Sequence, residues 1–256
     1  MRQALGFTTL LSPGTPMFSK AKLLTLFSVL TLAPILCQAS VILNGTRIVF
    51  PSQSNQKTLQ FSNPDSNPNL VQVWVSKSEN NSSIENADVS FIPSPQVFKI
   101  ESGSGQIVRL SYVGDKLPTD RESIFYLNFS QIPSLTTSSQ DSNKLVLLFT
   151  SRVKLFYRPK EIQGAIDKLA SSLQFRLSKD NNIIISNTSG FYVTIRKAEV
   201  IQGNRHFTFI RDQMINPKST TNWKLENRID DTSTKIRLVM INDYGVDTST
   251  EFSLMK

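Results

Sequence analysis

Residues 145–159 read LVLLFTSRVKLFYRP, and the fold turns on how this stretch is understood. As one extended segment these fifteen residues span roughly 50 Å at ~3.3 Å per residue, well beyond an ordinary strand. Leu145, Leu147 and Phe149 share one face, Val146 and Leu148 the other, and Val153 resumes the pattern. A central strand buried on both sides looks similar. The preceding tract, SLTTSSQDSN at residues 134–143, is polar and free of glycine. It is expected to be mobile and unable to cover an apolar strand tip. Pro159 closes the run, because proline cannot continue a central ladder.

Working outward, extended segments are predicted upstream at residues 40–50, 58–63, 70–77, 89–92, 97–100, 106–112 and 123–131, separated by Asn, Ser, Pro and Gly clusters. Downstream, residues 161–169 read as the one convincing helical stretch. The strand rhythm then restarts at residues 173–179, where Leu173, Phe175 and Leu177 alternate, and continues through 183–186, 191–200, 207–210, 223–225, 236–242 and 251–254. Short strands with turn signals at this spacing indicate antiparallel sandwiches. The fold class is therefore all-β, with two immunoglobulin-like β-sandwich domains at residues 40–159 and 160–256 and the boundary at Arg158, Pro159 and Lys160. The Cys, Trp, Cys core signature of antibody domains is absent.

Residues 1–39 hold no acid, the three cations Arg2, Lys20 and Lys22, and an apolar run from 23 to 37 that leads to a small residue, Ala39. That is the pattern of a secretory signal peptide cleaved near Ala39 and Ser40, with Met17 an alternative start. The run is shorter than the ~20 residues that span a bilayer, so no stable membrane insertion is expected. Leu36 is too large for the residue that precedes a lipidated cysteine at Cys37. Cys37 is the sole cysteine, so an exported chain cut after Ala39 must hold its fold without disulfides. Of the formal charge of +8, three units belong to the leader. The rest forms no dense Lys/Arg run, which argues against nucleic acid as a partner.

Catalytic chemistry finds little support. His206 is the only histidine, so a zinc site of the usual kind cannot be assembled. No GxSxG elbow accompanies the plentiful serines and aspartates. Gly103 and Gly105 in ESGSGQ lack the Lys-Ser/Thr of a phosphate loop and read as a β-turn. Asp230 and Asp231 read as a solvated loop, and Asn44-Gly45-Thr46 is a glycosylation sequon only where the source glycosylates. No cofactor or metal is called for. The chain reads as a binding module and not an enzyme.

Residues 117–134, LPTDRESIFYLNFSQIPS, carry the family resemblance. With NGTRIVFP at 44–51 and VKLFYRP at 153–159, they closely resemble the signature of the periplasmic pilus-assembly chaperones of Gram-negative bacteria. Leu117, Pro118, Asp120, Arg121, Glu122, Ser123, Asn128, Ile132 and Pro133 fall in register, as does Phe125 or Tyr126. Weaker matches follow in ISNTSGFYVTI (185–195), MINPKS (214–219) and INDYG (241–245).

The resemblance implies a periplasmic protein of two immunoglobulin-like domains set as an L around a cleft. It would bind pilus subunits (pilins) by lending them a strand and deliver them to an outer-membrane usher. Chaperone and pilin are an established instance of such strand addition. By the same resemblance Leu145, Leu147 and Phe149 are the donor residues. Arg47 and Lys154 hold the subunit's C-terminal carboxylate, and Glu122, Arg158 and Asp243 form an ion network between the domains. The short tract at 134–143 and the missing cysteines resemble the subfamily with a short loop before the donor strand. An exposed apolar edge also favours self-association of the free protein. Two other readings compete. One is a secreted adhesin or carbohydrate-binding sandwich using loops and exposed aromatics such as Trp74 or Trp223, and the other is a hydrolase built around His206.

Overall fold

The computed structural model describes residues 41–77, 83–133, 148–162, 166–226, 228–229 and 234–254. Only strands and single 3-10 turns occur among them, so the chain is all-β. The single strand expected over residues 40–50 is in fact two, β1 (Ile42–Leu43) and β2 (Arg47–Pro51). Between them the chain crosses from one sheet to the other, and Gly45 makes the crossing at a φ of 103°, which side-chain-bearing residues avoid.

The first sandwich also contains β3 (Gln56–Ser62), β4 (Asn69–Ser76), β5 (Phe91–Ser94), β6 (Val97–Ile100), β7 (Gly105–Tyr112), β8 (Ser123–Pro133) and β9 (Phe149–Arg158). One sheet runs β1-β3-β7-β5 and the other β2-β9-β8-β4-β6. Alternation supplies the core: Ile48 and Phe50 of β2, Leu59 and Phe61 of β3, Val108 and Leu110 of β7 and Leu155 of β9 all point inward. Aromatic rings lock the layers. Phe61 meets Phe129 edge-on at 5.2 Å, and Phe91 meets Phe125 at 4.9 Å. Each fully buried ring contributes about 1.5–3 kcal/mol, which lets this core form without a disulfide.

The second sandwich is built from β10 (Leu173–Leu177), β11 (Asn182–Asn187), β12 (Val193–Gln202), β13 (Arg205–Ile215), β14 (Ser219–Lys224), β15 (Thr234–Ile241) and β16 (Asp247–Ser253). Its sheets run β10-β11-β14 and β13-β12-β15-β16 around Phe175, Ile183, Ile195, Val200, Trp223 and Leu238. The helix expected at 161–169 is replaced, among the described residues, by 3-10 turns at Lys160–Ile162 and Ile166–Lys168. Nine residues interrupted by Gly164 are too few to nucleate a stable helix in a linker.

Candidate functional site

β9 has two halves that differ in what lies beside them. From Lys154 to Arg158 it is paired on both sides, with β8 and, in parallel, with β2 in the register Arg47 to Lys154 through Pro51 to Arg158. From residue 149 to 153 it pairs with β8 alone. Among the described residues no strand covers its other edge there, because the chain before Arg47 has left for the opposite sheet. Leu148 and Phe149 are correspondingly exposed, at 58% and 59%. Phe149 is in phase with Val153, Leu155 and Tyr157, which pack on or in the first core. The strand's core-facing side therefore continues past the end of its own sandwich. Leu145 and Leu147, the other two expected donor positions, and the tract 134–143 lie outside the described residues.

The covered and uncovered halves meet at Arg47 and Lys154. Both line a pocket of about 270 Å³, together with Thr46 and Arg152 from the first sandwich and Thr194, Arg196, Asp212 and Ile241 from the second. Arg47 is half-buried and reaches across to the second sandwich: its Nη1 donates to the Ile241 carbonyl at 2.9 Å and to Thr194 Oγ1 at 3.5 Å. Its Nε is buried with no hydrogen-bond partner among the described residues. Burial pushes the Arg47 guanidinium below its ordinary value, against the pull of Asp243, and nearby Arg196 adds to the lowering. Arg196 itself is engaged by Asp247 at 2.8 Å. With Arg47, Arg152, Lys154 and Arg196 against Asp212, the pocket is thus rich in positive charge and chemically suited to an anion.

Glu122, Arg158 and Asp243 come together between the sandwiches. Arg158 Nε donates to Glu122 at 2.7 Å, while Nη1 and Nη2 donate to the two carboxylate oxygens of Asp243 at 2.6 and 2.9 Å. The Phe191 ring lies 5.1 Å from the guanidinium carbon. Burial pushes the Glu122 carboxyl upward, against the attraction of Arg158 and the Tyr192 N–H that donates to it at 2.8 Å. Burial alone would lower Arg158, but the Asp243 hydrogen bond and the charges of both acids carry it upward. The bidentate geometry makes the cation the centre on which both acids depend.

Further contacts complete the junction. Glu122 N–H donates to Gly190 O at 2.8 Å, and Lys218 pairs with Asp120 at 2.6 Å. A Cβ on Gly190 would stand 2.8 Å from the Asp120 carbonyl oxygen and 3.0 Å from Ile162 Cγ2. Gly190→Ala is therefore expected to wedge the junction and remove about 1–3 kcal/mol, read as a lowered thermal midpoint.

The remaining expectations resolve residue by residue. Trp74 and Trp223, proposed as exposed sugar-binding aromatics, are only 7% and 5% exposed, one in each sandwich, so the adhesin reading loses its residues. Trp223 packs within the second core, and Trp74 is buried although it stands out of phase with the core residues Val73 and Val75 of its strand. His206 is an exposed strand residue opposite Ile201. Gly103 sits in a turn at a φ of 64°, and its N–H donates to Asn63 O. Asp230 and Asp231 lie outside the described residues. Arg152, the Tyr192 N–H and the Ile241 carbonyl were not singled out from the sequence. Arg152 carried a signal, since it stands two residues before Lys154 and so on the same strand face.

Comparison with known proteins agrees with this geometry over nearly the whole described chain. Residues 40–163 match the family model "Pili and flagellar-assembly chaperone, PapD N-terminal domain", and residues 168–252 match "Pili assembly chaperone PapD, C-terminal domain". The chain is 33% identical over 213 residues to the chaperone protein FimC of Escherichia coli (strain K12), covering 82% of this chain and 83% of that one. It is 32% identical over 180 residues to the chaperone protein FimB/FhaD of Bordetella pertussis, covering 69% and 73%. Among solved structures, the Pseudomonas aeruginosa CupB2 chaperone superposes with a TM-score of 0.70 at 30% identity, over 84% of this chain and all of that one. Two sandwiches, a charged junction between them and a half-covered edge strand are thus the features of a chain that belongs to the pili assembly chaperone family, a non-enzymatic periplasmic chaperone of the chaperone–usher pathway.

Proposed function

We propose that this chaperone captures pilus subunits by strand addition along β9. Residues 1–39 serve as the export signal, residues 40–159 form the capturing domain and residues 160–256 close the site from the other side. The observation that carries the reading is the half-covered β9, whose open edge ends where Arg47 and Lys154 meet. A subunit chain whose terminal carboxylate rests on those two cations, with its last strand along residues 149–153, must run parallel to β9. That direction continues the parallel pairing β2 already makes on the same edge. Main-chain groups supply the affinity, and the carboxylate supplies the register. Leu145, Leu147 and Phe149 then enter the subunit's apolar groove, because Phe149 continues the core-facing side of the strand and the other two alternate in phase with it in the sequence.

Glu122, Arg158 and Asp243 hold the two domains at the angle that keeps the pocket open. Handover goes to an outer-membrane usher. The short tract before β9 and the lack of a disulfide favour the short-loop subfamily. In the absence of a subunit, the open edge favours association with a second copy. Phe149→Glu tests the donor face: a charge carried into an apolar groove is expected to weaken subunit binding by about a hundredfold. Calorimetry with a purified subunit reads the effect, and unchanged affinity would mean that Phe149 does not face the subunit.

A further inference from the structure

The apolar face of β9 is accounted for by strand addition, but the opposite face of the same uncovered half carries Arg152. Its surroundings are built to aim it. Nε donates to Asn128 Oδ1 at 3.0 Å, and Asn128 is fully buried, its own amide donating to Ser76 Oγ at 3.0 Å and to the Tyr126 carbonyl at 3.2 Å. The guanidinium carbon lies 5.8 Å from the centre of the Tyr126 ring. A planar cation held by one edge and flanked by an aromatic face keeps its remaining donors in a fixed fork. Those two terminal amino groups donate to nothing among the described residues, and Arg152 lines the same pocket as Arg47 and Lys154.

The level of Arg152 along the strand says what it meets. β2 pairs with β9 in parallel from Arg47 opposite Lys154 onward. A subunit strand collinear with β2, and ending at those two cations, places its last two residues beside Val153 and Arg152. A strand alternates its side chains, so one of those residues faces the apolar side and the other the Arg152 side. Resting on the reading of Arg47 and Lys154 as the carboxylate anchor, we propose that Arg152 is a specificity-determining residue. It reads a side-chain oxygen acceptor on one of the last two residues of the subunit, separately from the terminal carboxylate.

The experiment uses the full chain and the pilus subunit that co-purifies with it from periplasm, in two forms: the native end, and an end whose last two residues are alanine with the carboxylate retained. Arg152→Gln is expected to bind the native end about ten- to a hundredfold more weakly and the alanine end as the unaltered chaperone does. Arg152→Lys, which keeps the charge and loses the fork, is expected to recover only part of that difference, and thermal melts establish that both variants fold. Equal losses against the two ends, or none against either, overturn the proposal. So does a co-purifying subunit with no side-chain oxygen at its last two positions. Arg47→Ala separates the anchor from this inference, since loss of the anchor weakens both ends alike. If Arg47→Ala changes neither, the anchor reading fails, whereas the Arg152 proposal is judged on the ratio between the two ends.

Discussion

Arg158→Ala is expected to remove about 3–5 kcal/mol of folding stability, the largest effect of any single replacement at the junction. The Arg158 side chain is 10% exposed and that of Glu122 only 2%, so truncation strands a carboxylate that water cannot reach. Glu122 would keep the Tyr192 N–H alone, and burial already pushes its carboxyl upward. Asp243 is more open, at 30%, and its loss leaves Arg158 still paired with Glu122, so Asp243→Asn is the milder change. Urea titration followed by tryptophan fluorescence measures the difference well, because Trp74 reports on the first sandwich and Trp223 on the second. A change below 1 kcal/mol for Arg158→Ala would mean that the trio is solvated and not a structural centre.

Arg47→Ala is expected to separate binding from folding. The guanidinium donates hydrogen bonds to Ile241 O and Thr194 Oγ1, and losing such bonds costs about 1 kcal/mol of stability. On the proposed anchoring, its loss removes one of two cations that would hold the subunit's carboxylate, and subunit affinity is expected to fall by about a hundredfold or more. Circular dichroism should therefore be unchanged while subunit capture in a co-purification is lost. Strong capture by the variant would assign the carboxylate to other groups in the pocket.

The fold was largely legible because its signals are local. Leu173, Phe175 and Leu177 alternate in the sequence, and Leu173 and Phe175 are buried in β10. The break at Pro159 follows from the ring itself. The division of residues 40–50 into β1 and β2 was not legible, since Ile42, Leu43, Ile48 and Phe50 continue one apolar pattern and only Gly45 hints at a crossing. That crossing matters, because it uncovers residues 149–153 of β9. The cations of the pocket were legible from the contexts around Arg47 and Lys154. The Ile241 carbonyl was not, since a backbone oxygen contributed by a distant strand leaves no trace in residue type. Arg152 was readable as a neighbour of Lys154, but its aim depends on Asn128, which faces it only once β8 and β9 pair.

In the proposed complex a subunit lies along the open half of β9 with its terminal carboxylate at Arg47 and Lys154. The most direct test is the affinity of the purified chaperone for one pilus subunit in two forms, its native C-terminus and the same chain extended by a few glycine and serine residues. The extension moves the carboxylate away from the two cations and is expected to weaken binding by about a hundredfold or more. Equal affinity for the two forms would contradict it.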